Sequence, residues 1–176
     1  MIISIQSYHS SAGELILGEF QGKLCMCDWK YREQRKQIDM RILKGFNATF
    51  LEQNTELLEQ VKIQLDEYFD KKRTKFDVPL VFVGTDFQKS VWEALMEIPY
   101  GTTKGYLELS RYLGDENAIR AVATAIGANS VSIFVPCHRI IGSDGSLTGY
   151  AGGLNAKKNL LELEGMLFGD QLSLFD

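Results

Sequence analysis

Apolar and polar residues alternate in three short runs at the start of the chain: Ile2 to Tyr8, Glu14 to Phe20 and Leu24 to Trp29. A period of two predicts half-buried β-strands. Gly13, Gly18 and the pair Gln21-Gly22 supply turn or bulge positions, so the short spacing predicts antiparallel hairpins. Residues 30–45 are charged and fit either a helix or a loop. From Glu52 to Lys72 the period changes. Leu57, Leu58, Val61, Leu65, Tyr68 and Phe69 recur at helical spacing, with charge on the opposite side and Asn54 placed to cap. Pro79 and Gly84 interrupt an extended apolar run and mark a boundary near Phe76 to Gly84.

The second half reads as helices joined by short extended pieces. Thr85-Asp86-Phe87-Gln88 is a capping-box pattern opening a helix over Asp86–Glu97, and Ile98-Pro99-Tyr100-Gly101 ends it. A short helix over Tyr106–Leu113 stops at Gly114. The turn Asp115-Glu116-Asn117 then leads into an alanine-rich helix over Ala118–Ala128. Helix, short turn, helix is the outline of a helix-turn-helix, although most such pairs simply pack. The apolar run Val131–Val135 predicts a buried strand, and Ile140-Ile141 is a second apolar piece.

Composition narrows the classes. The chain has 176 residues, 45% of them apolar, enough for one large domain or two small ones. It contains no apolar stretch long enough to span a bilayer, and its N-terminus lacks the pattern of a secretory signal. Three cysteines, Cys25, Cys27 and Cys137, are an odd and sparse set that suits a reducing cytoplasm rather than a disulfide framework. A net charge of −4 argues weakly against nucleic acid. Between Thr103 and Arg139 the charges nearly balance, so any DNA contact should lean on backbone amides and helix ends as well as cations.

The chemistry concentrates at Pro136-Cys137-His138-Arg139, where a cysteine stands beside a histidine and an arginine between two apolar runs. A thiol reacts as thiolate, and positive neighbours lower its pKa. A buried structural cysteine is common, but it does not explain two adjacent residues that are costly to bury. Ala118, Ala121, Ala123, Ala125 and Ala128 leave the preceding helix slim, with Arg120 its one long basic side chain. Such a helix either packs closely on a neighbour or enters a DNA groove, where small side chains read little sequence.

Further motifs flank the cysteine in order: Phe87-Gln88, Val91-Trp92 and Ile98-Pro99-Tyr100-Gly101; Arg120-Ala121-Val122 and Asn129; then Gly142 to Gly145 and Leu147 to Leu154. Over about residues 84–168 this set resembles the methylated-DNA–protein-cysteine methyltransferases, the O6-alkylguanine-DNA alkyltransferases. Residues 1–80 match that family only in size and broad pattern.

The resemblance implies an α/β (α+β) protein in two parts. Residues 1–80 would form a small, ribonuclease-H-like domain with an antiparallel sheet and a helix. Residues 84–170 would form a mainly helical domain with the helix-turn-helix, followed by a tail over 171–176. It implies a monomer that binds alkylated double-stranded DNA through the minor groove with little sequence preference, flips out O6-alkylguanine, and moves the alkyl group irreversibly to Cys137. O4-alkylthymine is a further candidate substrate. By the same resemblance His138 is the base, bridged to the thiol by a water, and Glu164 orients it. Tyr106 assists at the flipped nucleotide, Asn129 holds the turn, and Arg120 fills the vacated stack with Ala121 and Ala125 beside it. Val135, Pro136, Tyr150, Ala151 and Gly152 form the pocket. Ala151 stands where the family often has serine. Bland readings accompany these: Arg120 paired with Glu116 four residues earlier, Glu164 a solvated helix-end glutamate, Arg139 a structural tie.

No cofactor is expected. Cys25 and Cys27 are spaced to point the same way on a strand, with His9 upstream, but structural zinc wants four ligands and no fourth is visible. Two other functions stay open on the residues. One is a non-catalytic protein sensing alkylated bases, which Cys137 disfavours. The other is an acidic cysteine hydrolase, which would need an oxyanion hole.

Overall fold

The computed structural model describes residues 1–168. Its N-terminal half is a four-stranded sheet with two helices. Strands β1 (Ile2–Ser10), β2 (Gly13–Phe20) and β3 (Lys23–Trp29) form the expected antiparallel meander. The charged stretch settles as helix α1 (Arg35–Phe46), whose Ile38 and Ile42 face inward. A fourth strand, β4 (Thr49–Glu52), was not foreseen. It lies parallel to β1 and completes the order β3-β2-β1-β4, so the sheet is mixed rather than purely antiparallel. Only four residues long and largely exposed, it shows no alternation to read.

Helix α2 (Glu56–Phe69) starts four residues later than the pattern suggested. Thr55, not Asn54, is the cap: its hydroxyl accepts the Leu58 N–H at 3.2 Å. Asn54 instead donates to Glu59. The apolar stripe of α2 covers one sheet face, burying Leu58, Val61, Leu65 and Tyr68 beside Leu15, Leu17 and Cys27. Helix α1 covers the other with Ile3, Phe20, Cys25 and Met26. The two N-terminal cysteines therefore sit on opposite faces. A register shift at Gly18/Glu19 pairs Gly18 with Met26 but Glu19 with Leu24, leaving Cys25 as the extra residue of a bulge. This corrects the expectation that their thiols point the same way.

The C-terminal half follows the sequence pattern closely. Thr85 and Gln88 close the capping box that opens α3 (Asp86–Met96). A short parallel pair joins β5 (Lys104–Gly105) to β6 (Ile140–Ile141). Helix α4 (Tyr106–Tyr112), a 3-10 turn over Glu116–Ala118 and helix α5 (Ile119–Gly127) make the helix-turn-helix. Helix α6 (Leu154–Leu163) packs against the cysteine turn. Residues 169–170 and the tail 171–176 lie outside the described residues.

The halves share one main core, which runs from Leu15 and Trp29 through Trp92 and Val122 to Cys137 and Leu160. Backbone crosses the junction too. Cys27 donates to Ser130 O at 2.9 Å and accepts from Ser132 N at 2.7 Å, so the outer edge of β3 is covered by residues just before the Cys137 turn. No helix among the described residues is long and apolar enough to cross a membrane.

Candidate active site

The run Val131–Val135 is not a strand. It makes a tight loop in which Val135 N bonds Val131 O at 2.9 Å and Ile133 has φ of 74°. A β-branched residue at positive φ is strained, on the order of 1–3 kcal/mol, and persists only where packing holds it. Here the main core holds it, with Ile133 1% exposed. The cysteine then lies in a 3-10 turn over Cys137–Arg139 rather than at a strand end.

Asn129 staples this loop. Its Oδ1 accepts Val131 N at 2.9 Å, and its Nδ2 reaches Val135 O and Cys137 Sγ, both at 3.2 Å. The amide thus donates directly to the sulfur. Cys137 is buried, and burial pushes its thiol pKa up, against the Asn129 hydrogen bond and the positive charge of Lys157. This corrects the expectation that adjacent cations lower it. The Arg139 guanidinium is turned away: Nε and Nη2 hold Glu164 at 2.9 and 3.0 Å, and Nη1 holds Ile98 O at 2.6 Å. Arg139 is the structural tie that its position suggested.

His138 is fully buried, and its Nε2 lies 2.7 Å from Glu164 Oε1. Burial favours the carboxylic acid at Glu164, but hydrogen bonds and positive charge from His138 and Arg139 outweigh it and bring the pKa down to about 2. An ionised carboxylate only accepts, so Nε2 carries the proton. Nδ1 is then the basic nitrogen. It is buried and has no hydrogen-bond partner among the described residues. Burial also holds the imidazole below its usual pKa, against the pull of Glu164, so it is neutral near pH 7. Glu164 itself is buried rather than solvated.

Cys137 lines a cavity of about 370 Å³ with Tyr106, Ala123, Ile126, Gly127, Gly149, Tyr150 and Ala151. The N-terminal half contributes the far wall through Arg32, Glu33 and Gln34. Three expected pocket residues are not in this wall. Pro136 lines a separate cavity behind the turn with Tyr100 and Arg139. Val135 is fully buried, its carbonyl taken by Asn129 and by the Cys137 N–H. Gly152 packs on Trp29, where an added Cβ would come within 2.5 Å of the indole, so it supports the wall from behind. The Trp29 ring in turn meets the Tyr150 ring edge-on at 5.8 Å.

The exposed side of α5 carries Arg120, Ala121 and Thr124. Ala125 is buried, and its carbonyl accepts the Trp92 indole N–H at 2.8 Å. It faces the core and cannot touch DNA, which corrects its placement with Arg120. Glu116 pairs with Arg111 at 3.4 Å, not with Arg120.

Sequence reasoning missed two cations at the site. Lys157 is fully buried; burial lowers its pKa to about 8, with Cys137 pulling the other way. Its Nζ donates to Thr148 O at 2.8 Å, and Thr148 Oγ1 lies 3.3 Å from the Tyr106 hydroxyl, which ties the pocket loop to α4. The signal was present, because Lys157 falls on the same helical face as Leu160 and Leu161. Arg32 gave no signal within its charged segment. It donates to Asn129 O at 3.0 Å and to Gly127 O, capping the end of α5 from the other half of the chain.

Fold and site together define a cysteine-nucleophile protein built around a helix-turn-helix. Two family models match the chain: 6-O-methylguanine DNA methyltransferase, ribonuclease-like domain, over residues 3–82, and 6-O-methylguanine DNA methyltransferase, DNA binding domain, over residues 86–166. The chain is 41% identical over 178 residues to a methylated-DNA–protein-cysteine methyltransferase of Mycobacterium leprae, covering 99% of this chain and 100% of that one. It is 48% identical over 121 residues to the inducible methylated-DNA–protein-cysteine methyltransferase of Bacillus subtilis, covering 69% and 68%. Among solved structures, Mycobacterium tuberculosis OGT in complex with DNA matches with a TM-score of 0.78 at 38% identity, covering 100% of both chains. The chain belongs to the methylated-DNA–protein-cysteine methyltransferase family.

Proposed function

We propose that this protein repairs DNA by taking the alkyl group of O6-alkylguanine onto its own Cys137. The observation that carries this reading is the Cys137 thiol at the wall of a cavity, followed in the chain by a buried neutral histidine held by an ionised glutamate. The thiol proton passes to His138 Nδ1, directly or through a water. Charge on the sulfur is stabilised by the Asn129 amide and by Lys157. The thiolate attacks the alkyl carbon, an S–C bond forms and the C–O6 bond breaks. Its electron pair moves onto the guanine, which takes up one proton, equal in number to the one the thiol gave up to His138, and leaves as the ordinary base. Imidazolium formed at His138 is stabilised by Glu164, which is too weak a base to take the proton itself. A thioether has no leaving-group step, so each molecule acts once.

The arrangement suits a base brought out of the duplex. The reactive sulfur sits in a recess that a stacked base could not reach, and the exposed face of α5 lies on the wall-forming helix. Arg120, exposed on that face, is proposed to fill the stack, and the small residues beside it suit minor-groove entry with little sequence preference. Incubation with a duplex carrying O6-methylguanine, followed by intact mass and peptide mapping, tests the reading. One methyl group on Cys137 is expected. Methylation at Cys25 or Cys27, or activity retained in Cys137→Ser, overturns it.

A further inference from the structure

Glu164 is held by more than the turn that carries the cysteine. Tyr68, near the end of α2 in the N-terminal half, donates its hydroxyl to Glu164 Oε1 at 2.7 Å. That is the same oxygen that receives His138 Nε2 at 2.7 Å and Arg139 Nη2 at 3.0 Å. Oε2 takes Arg139 Nε at 2.9 Å and the Gly101 N–H at 3.3 Å. Tyr100 completes the surroundings; its ring packs edge-on to Tyr68, and its hydroxyl donates to Leu163 O at 3.3 Å. The Tyr68 ring is fully buried among Phe69, Phe76 and Tyr100. Phenylalanine would serve that packing equally well, so the hydroxyl needs a reason of its own, and the carboxylate is its partner.

We infer that Tyr68 is a positioning residue for alkyl transfer: its hydroxyl fixes the Glu164 carboxylate toward His138 and limits the negative charge that Oε1 offers to the imidazole. This deepens the repair reading and rests on it for the role of His138. A donor on a carboxylate oxygen draws charge from that oxygen. With Tyr68 and Arg139 both on Oε1, the glutamate orients the histidine without drawing a second proton onto it in the resting protein. Imidazolium cannot accept the thiol proton, so a relay with an unrestrained glutamate, its imidazole pKa raised, would have a free base only above a higher pH. Through Tyr68 the sheet-bearing half of the chain acts on chemistry that occurs wholly in the other half.

The test is Tyr68→Phe in the full chain. The sequence has only two histidines, His9 and His138, so an imidazole nitrogen NMR titration reads each separately. The His138 midpoint should rise by roughly one pH unit, the scale expected for one hydrogen bond to a charged group. The acid limb of the single-turnover rate on O6-methylguanine duplex should rise with it. A lower melting temperature with an unchanged or lowered His138 midpoint overturns the inference and leaves Tyr68 as packing. Should Tyr68→Phe not fold, 3,5-difluorotyrosine at position 68, a stronger donor, should move the midpoint down; no movement overturns the inference. Failure of the repair reading is separately visible, as wild-type protein that gains no methyl group while the titration in the free protein still reports the coupling.

Discussion

Among the described residues two carboxylates are buried, Asp28 in the N-terminal half and Glu164 in the C-terminal half, and arginine surrounds each. Asp28 Oδ1 takes Arg32 at 3.0 Å and its Oδ2 takes Arg35 at 2.7 Å. Glu164 takes Arg139 on both oxygens. Yet their pKa values shift in opposite directions. Burial dominates at Asp28 and raises its pKa despite both guanidiniums. At Glu164 burial also opposes the charge, but His138 and Arg139 together prevail and the pKa falls to about 2. The difference lies in the balance at each carboxylate: burial prevails at Asp28, whereas at Glu164 a histidine joins the arginine and burial loses. Arg32 divides its donors between Asp28 and the carbonyls of Gly127 and Asn129. Arg139 gives two of its three bonding nitrogens to the carboxylate, and a histidine and a tyrosine add donors. The first cluster clasps the end of α5 to the sheet. The second holds His138, the proposed base. A buried arginine–carboxylate pair is therefore not in itself a sign of chemistry; the third partner decides.

Removing one charge from each cluster sharpens this contrast most. Glu164→Gln should slow methyl transfer per folded molecule by about a hundredfold or more, within the range for losing general-base assistance, and raise the pH at which Cys137 reacts with a thiol reagent. Asp28→Asn should change that rate little. Its cost falls on stability, roughly 3 kcal/mol for leaving Arg32 and Arg35 without their buried counter-charge, read as a lower urea midpoint. A hundredfold slower Asp28→Asn protein at equal folded fraction would break the division between clasp and relay.

Acid offers a second test. Glu164 has a depressed pKa, so its contribution to stability is complete above the unfolded value near 4.3 and is lost as pH falls toward about 2. Asp28, with a raised pKa, works in the opposite sense: it favours the fold more as pH falls through its folded value. Between pH 5 and pH 3 the urea midpoint of Glu164→Gln should fall less than that of wild type. A steeper fall in the variant would show that another carboxylate governs acid unfolding.

The smallest effect concerns the helix that Arg32 caps. Arg120→Ala should slow repair of alkylated duplex, while reaction with free O6-benzylguanine, where that ligand fits, stays unchanged. Equal loss on both substrates would move Arg120 from base extrusion to the structural side of the comparison. Binding to undamaged duplex should be weak, with a shallow dependence on salt, because few cations line the exposed face.

Much of this protein is written locally and so could be read from the chain. The three strands, the capping box at Thr85 and Gln88, and the two helices of the helix-turn-helix depend on neighbours within a few residues, and they fold where the pattern places them. The tetrapeptide Pro136-Cys137-His138-Arg139 was legible because burying a histidine and an arginine beside a cysteine needs a reason. Glu164 was legible only through resemblance; nothing in its own segment separates it from Glu162, which is exposed. The tertiary structure alone decided the rest. It turned Val131–Val135 into a loop, because Asn129 and the β3 edge claim that backbone. It buried Ala125, took Arg139 away from the thiol, and brought Lys157, Arg32 and Tyr68 to the site. Each of these depends on partners distant in the chain, as with Tyr68 and Glu164, which are 96 positions apart. Periodicity reports which side of an element is buried. Only packing determines what that side meets.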